Sequence, residues 1–122
     1  MAQLFGQDLD REQVVRRVGD MAQVCGIEPF GYAEGTARGV QGLQFRTARG
    51  LRLNVLPDRG MDIAAAEYRG IPLCWQSGTG PVAPAFYSPR GWDWLRSFHG
   101  GLLTTCGLSN VGDPCTDKGS YL

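Results

Sequence analysis

A chain of 122 residues holds one domain with a real core and leaves no room for two. Twelve basic side chains balance twelve acidic ones, so no bulk field draws in nucleic acid or an anionic membrane, and recognition has to be local. Eighteen glycines and seven prolines beside 43% hydrophobic residues argue against disorder and for short strands joined by many turns.

Cys25, Cys74, Cys106 and Cys115 are scattered, form no C-x-x-C pair and share the chain with a single histidine. Neither a zinc site nor a small secreted disulfide framework is indicated, and free thiols fit a reducing cytoplasm. The N-terminus lacks the basic, apolar, small-residue order of a signal peptide, and no apolar run approaches the length of a bilayer span. A soluble cytoplasmic protein with no nucleic-acid or membrane partner is expected.

The first element in chain order is a helix over residues 10–25. Val14, Val15, Val18, Met21, Ala22 and Cys25 share one face, with Arg11, Arg16, Arg17 and Asp20 elsewhere. Asp10 with Gln13 three positions on is a capping-box variant, and Gly26 stands where a left-handed C-terminal residue is wanted. Such a helix packs against a sheet or seals an edge, and carries no chemistry. From Ile27 onward the period changes to two. Residues 39–47 and 51–56 flank Ala48-Arg49-Gly50 as a β-hairpin. The tetrapeptide Thr-Ala-Arg-Gly occurs at 36–39 and again at 47–50, which reads as repeated turn chemistry because no further self-similarity accompanies it. A second hairpin is predicted from 62–68 and 71–76, turning at Arg69-Gly70. Tight antiparallel connections without intervening helices exclude a doubly wound α/β design.

Between the two hairpins lies Leu56-Pro57-Asp58-Arg59-Gly60-Met61-Asp62-Ile63, which sets three charges and a Pro/Gly pair where one strand hands over to the next. Pro57 fixes the approach and Gly60 permits a conformation closed to other residues, which together would hold Arg59 rigidly outward. The plainer reading is a surface turn with a local Asp–Arg ion pair. Residues 76–91 form a long loop broken by Gly78, Gly80, Pro81, Pro84 and Pro89, with Phe86, Tyr87, Trp92 and Trp94 crowded close by. Aromatic faces in an open cleft stack on the apolar C–H face of sugar rings; alternatively these rings plug the end of a β-sandwich. The Gly78-x-Gly80 pair lacks the spacing of a phosphate loop. Residues 92–98 suit one or two helical turns, and 100–112 read as a strand bracketed by glycines. His99, the single histidine, is the formal acid–base candidate because its ordinary pKa lies near neutrality. Arg96, Thr104, Thr105, Ser109 and Asn110 are candidates to bind hydroxyls, or else satisfy backbone groups in turns. The polar tail over 112–122 closes no element.

Four blocks stand in order along the chain: the octet at 56–63, Ala66-Glu67-Tyr68-Arg69-Gly70-Ile71-Pro72-Leu73, Trp94-Leu95-Arg96-Ser97-Phe98, and Gly100-Gly101-Leu102-Leu103-Thr104-Thr105-Cys106-Gly107-Leu108. Together they resemble the DUF4432 family of aldose 1-epimerase-like proteins, over about 11–115. The resemblance implies the galactose-mutarotase-like superfamily. Its fold is a large antiparallel β-supersandwich that binds monosaccharides in a cleft, and its activity is the interconversion of sugar anomers without a metal or organic cofactor. Family members are longer. The expectation is therefore a mainly β chain with one N-terminal helix, in which 1–122 form the N-terminal part of a single aldose-epimerase-like β-sandwich domain. A Leu-His-Gly-Arg block is then expected beyond Leu122, and with it the superfamily's histidine acid and glutamate base. His99 precedes the double glycine, where the family does not place its catalytic histidine, so it is a minor catalytic candidate and the acid and base stay unassigned.

Opening a hemiacetal ring requires one group to take the anomeric hydroxyl proton while another protonates the ring oxygen. This chain supplies binding groups. Arg59, the first choice for a sugar contact, and Arg96 are planar multi-donor forks; Asp58 and Asp62 accept from Arg59 or from sugar hydroxyls; Thr105 and Asn110 complete the set. The expected function is that of a carbohydrate-binding aldose 1-epimerase-like protein whose N-terminal portion contributes sugar contacts. The alternative is a non-catalytic monosaccharide-binding β-module. A third reading is a sheet that cannot close, whose exposed edges favour association.

Overall fold

A computed structural model describes residues 2–4, 6–105, 116–117 and 120–121, and the protein is mainly β, built on antiparallel pairs. Strands β1 (Ala2–Leu4) and β2 (Gln7–Leu9) form a small ribbon that leads into α1. Helix α1 spans only Arg11–Val15, far short of the predicted 10–25. Its start is the predicted one: the Asp10 carboxylate accepts from the Gln13 backbone N–H at 2.8 Å, and Gln13 Oε1 accepts from the Asp10 N–H at 3.0 Å. The helix stops early for a local reason. Glycine at position 19 costs about 1 kcal/mol in a helix interior, and Asp20 begins a second capping box by accepting from the Ala22 N–H at 2.7 Å. A 3-10 turn over Met21–Gln23 follows, and Gly26 opens a strand where a helix end was expected. Of the predicted apolar face, Val14 is fully buried while Val15 is 47% exposed.

Strands β3 (Gly26–Gly31), β4 (Gln41–Arg46), β5 (Leu51–Leu56), β6 (Asp62–Tyr68) and β7 (Ile71–Pro72) form a five-stranded antiparallel sheet in chain order. The β4–β5 turn is the predicted hairpin turn, closed by the Thr47 N–H on the Leu51 carbonyl at 2.9 Å. The other copy of the tetrapeptide also turns, through a 3-10 segment over Gly35–Ala37. Arg69 and Gly70 both have positive φ, 52° and 82°, as a tight two-residue hairpin turn requires. The second hairpin is shorter than expected. Pro72 offers no N–H to continue the ladder, and Trp75–Gln76 leave the sheet as β8 to pair with β9 (Gly100–Gly101). Of the strand predicted over 100–112, the described residues show β9 and a bridge between Leu103 and Ile63; residues 106–112 lie outside them. Strands β10 (Thr116–Asp117) and β11 (Ser120–Tyr121) form a second short ribbon.

Side chains alternate across a strand, so the register sorts the sheet into two faces. One carries Ile27, Leu43, Phe45, Leu53 and Val55; the other carries Gln44, Arg46, Arg52, Asn54 and Glu67. A bulge at Ala64, between the pairs Asn54–Ala65 and Val55–Ile63, shifts the start of β6. There the core cluster Val40, Leu56 and Ala64 is covered by Phe30, Tyr32 and Ala83. The Ala83 N–H donates to the Thr36 carbonyl at 2.8 Å, tying the long loop to the sheet end. Among the described residues, no helix is long and apolar enough to cross a membrane.

Candidate functional site

The handover from β5 to β6 makes one 3-10 turn over Pro57–Arg59, in which Pro57 at the first position supplies the fixed φ that such a turn needs. Gly60 closes it at φ 68°, and a side chain there would meet Thr105 Oγ1 at 2.8 Å, so the turn and its neighbour fit only around glycine. Met61 follows at φ 72°, a left-handed conformation that costs a non-glycine residue about 1 kcal/mol or more. The two consecutive left-handed residues rotate Asp62 into the protein, where it is 2% exposed.

Arg59 is also turned inward, which corrects the expectation that the turn holds it outward. Its side chain is 17% exposed. Nη1 donates to the Val82 carbonyl at 3.0 Å, Nη2 to the Ser97 carbonyl at 3.1 Å, and Nε to Asp62 Oδ2 at 3.4 Å. A planar guanidinium can reach three acceptors on three separate segments, which no other cation does with fixed geometry. Asp62 is held from its other side: Oδ1 accepts from the Thr105 N–H at 2.7 Å and lies 3.0 Å from the Thr105 hydroxyl. A buried carboxylate costs several kcal/mol unless it is paired and hydrogen-bonded, and these contacts meet that condition. Asp58 stays exposed, and its Oδ2 accepts from the Gln41 N–H at 2.7 Å, fastening the turn to β4.

These groups line an open cavity of about 360 Å³. Its lining mixes the rings of Tyr87, Trp94 and Phe98 and the apolar Ala83 and Pro84 with the polar Asp58, Arg59, Asp62, Thr104 and Thr105. Trp94 and Phe98 meet edge to face at 5.5 Å and 81°, which fixes both rings. The 3-10 helix over Gly91–Ser97 places Trp94 and the Ser97 carbonyl.

The structure thus brings together Arg59, Asp58, Asp62 and Thr105 from the predicted set. Arg96 is not brought in: its side chain is 84% exposed and pairs with Asp93 at 3.5 Å in solvent. Asn110 lies outside the described residues, as do Ser109, Cys106 and Cys115. His99 is 2% exposed and does not line the cavity. Neither of its ring nitrogens has a hydrogen-bond partner among the described residues, and Nε2 lies 3.9 Å from Asp62 Oδ2. Burial lowers its pKa from the ordinary 6.5, Arg59 adds to that, and Asp62 opposes it, so the ring is neutral near neutral pH. Sequence reasoning missed the Val82 and Ser97 carbonyls that anchor Arg59, because a backbone acceptor leaves no mark in the residue type. It also missed Phe98 as a wall residue, although Trp94 and Phe98 sit four apart and invited the pairing. Among the described residues, no group of three His, Cys, Asp or Glu side chains could hold a metal ion, and Cys25 and Cys74 are half-buried free thiols.

Fold and site define an antiparallel β protein with an amphipathic cavity beside the turn between two central strands. The profile of the family described as Domain of unknown function (DUF4432) matches residues 37–122, and the chain belongs to that family. The matched span contains every residue that lines the cavity. Comparison with curated proteins and with solved structures finds no match.

Proposed function

We propose that the protein binds a monosaccharide or related small carbohydrate in this cavity, as part of an aldose 1-epimerase-like β-sandwich. The observation that carries the reading is the mixed lining of the cavity, in which aromatic rings stand with charged and hydroxyl side chains. A pyranose has a matching mixture, an apolar C–H face and a rim of hydroxyls, and the volume suits a ligand of that size. Trp94 and Tyr87, 43% and 65% exposed, offer faces for stacking. In the same lining, Asp58 has one carboxylate oxygen engaged by Gln41 and one left to accept from a hydroxyl. Arg59 commits three of its five N–H donors to the protein and keeps the other two for the ligand. A cytoplasmic setting belongs to this reading and is supported by the free thiols of Cys25 and Cys74.

The alternative is a monosaccharide-binding module without catalysis, and the position of His99 keeps that side chain out of the chemistry on either reading. Anomer exchange needs a proton acceptor and a proton donor facing one sugar, and the single histidine is neutral, buried and off the cavity wall. Titration with a panel of aldoses, followed by tryptophan emission and calorimetry, tests binding. Trp94→Ala should weaken it about tenfold, the equivalent of ~1.4 kcal/mol of stacking. Failure of every aldose to bind the parent would sink both readings. Polarimetry then divides them: acceleration of anomer exchange over the spontaneous rate supports the epimerase, and binding without acceleration supports the module.

A further inference from the structure

A second depression lies on the polar face of the sheet, built by different residues. The register sets Gln44 opposite Asn54 and Asn54 opposite Ala65 across β4, β5 and β6; the adjacent row sets Arg52 opposite Glu67. On a water-facing sheet such central positions usually carry long charged side chains that reach into solvent. Here Gln44, Asn54 and Ala65 are only half-exposed, and the methyl of Ala65 leaves a hollow of about 280 Å³ walled by Gln44, Arg52, Asn54, Glu67, Cys74 and Gln76.

The amides are held in set orientations. Gln44 Nε2 donates to Asn54 Oδ1 at 3.3 Å, and Gln76 Nε2 donates to the Ala64 carbonyl at 3.2 Å. This leaves Gln44 Oε1 and Gln76 Oε1 as acceptors and Asn54 Nδ2 as a donor, with no protein partner among the described residues. Arg52 and Glu67 pair at 3.3 Å and cancel each other's charge at the rim.

We infer that this groove is a binding site for a neutral open-chain polyol. Interleaved donors and acceptors match hydroxyl groups, each of which both donates and accepts. The cancelled charges give an anion no advantage over a neutral compound. No aromatic ring lines the groove, so a pyranose finds no face on which to stack, and recognition rests on a row of hydroxyls that an extended chain presents across the strands. The site shares no residue with the cavity at the β5–β6 turn and stands or falls independently of the sugar reading given to that cavity.

The test is a titration of the isotope-labelled chain with sorbitol, and in parallel with myo-inositol as the cyclic counterpart, following the side-chain amide signals of Gln44, Asn54 and Gln76. Saturable shifts of these signals are expected with sorbitol, at about tenfold lower concentration than with inositol. Ala65→Leu fills the hollow and should abolish the shifts while leaving the circular dichroism unchanged, and Trp94→Ala should leave them intact. Unmoved amide signals in the parent, equal response to the cyclic compound, or sorbitol binding that survives Ala65→Leu would each overturn the assignment. The parent spectra decide the matter even if the leucine variant does not fold.

Discussion

Replacing Arg59 by alanine separates two views of the turn on which the site is built. In the structure, its guanidinium ties together the β5–β6 turn, the loop at Val82 and the 3-10 helix ending at Ser97. Truncation leaves two carbonyls without their charged donor and deprives the Asp62 carboxylate of its neighbouring cation. Each charge-assisted bond is worth about 1.5–3 kcal/mol, and breaking one partner of a buried pair costs about 3–5 kcal/mol. Three facts hold the sum down. The Asp62 contact is long at 3.4 Å, Asp62 keeps the Thr105 N–H at 2.7 Å, and the 17% exposure of Arg59 lets water into the vacated space. A loss of about 3 kcal/mol is expected; with an unfolding entropy of ~2.1 cal/mol/K per residue over this length, the melting temperature falls by about 12 °C. Arg59→Lys keeps the charge but reaches fewer acceptors, and should fall between the two. Thermal unfolding followed by circular dichroism gives both values. An alanine variant that melts within about 2 °C of the parent would refute the clamp. If sugar binding were lost at the same time, Arg59 would be a free ligand group after all.

Two other predictions concern the same corner of the molecule. The pKa of His99 is lowered on folding, so between that value and the ordinary 6.5 the unfolded chain holds a proton that the folded chain does not. Stability is then fully present above 6.5 and declines as the pH falls, with a slope of at most about 1.4 kcal/mol per pH unit. Urea denaturation from about pH 7.5 to about pH 5.5 measures the slope, and His99→Gln should remove this share of it; an identical slope in the variant would show that His99 does not titrate on unfolding. At Gly101, an added side chain would lie 2.4 Å from the Ile63 carbonyl and 3.1 Å from the Ala64 Cα, on a backbone with φ 103°. Gly101→Ala should cost at least about 3 kcal/mol. It should also expose to hydrogen exchange the Ile63 N–H that now donates to Leu103; parent-like protection would contradict the close approach.

What the sequence determined by itself is whatever closes within a few residues. The capping pair of Asp10 and Gln13 and the hairpin turns at 47–50 and 69–70 rest on contacts three or four positions apart, the period of two through the central strands is written in neighbouring residues, and all are present. Helix α1 misled because its apolar spacing continues past Gly19 and Asp20, where a local cap outweighs periodicity. The candidate site was legible as a set of residue types and not as an arrangement. Arg59 and Arg96 carry the same side chain, yet Asp93 holds one in solvent while the other is drawn inward. That choice was made by acceptors remote along the chain: Val82 and Ser97 lie 23 and 38 residues from Arg59, and Thr105 lies 43 from Asp62. Only the folded chain brings such groups within hydrogen-bonding range, because no pattern of neighbours encodes which distant carbonyl will be left in need of a donor. Tertiary structure therefore decided that Arg59 and Asp62 turn inward while Asp58 stays exposed, that Asp62 sits clamped in the cavity lining, and that the single histidine is buried near it.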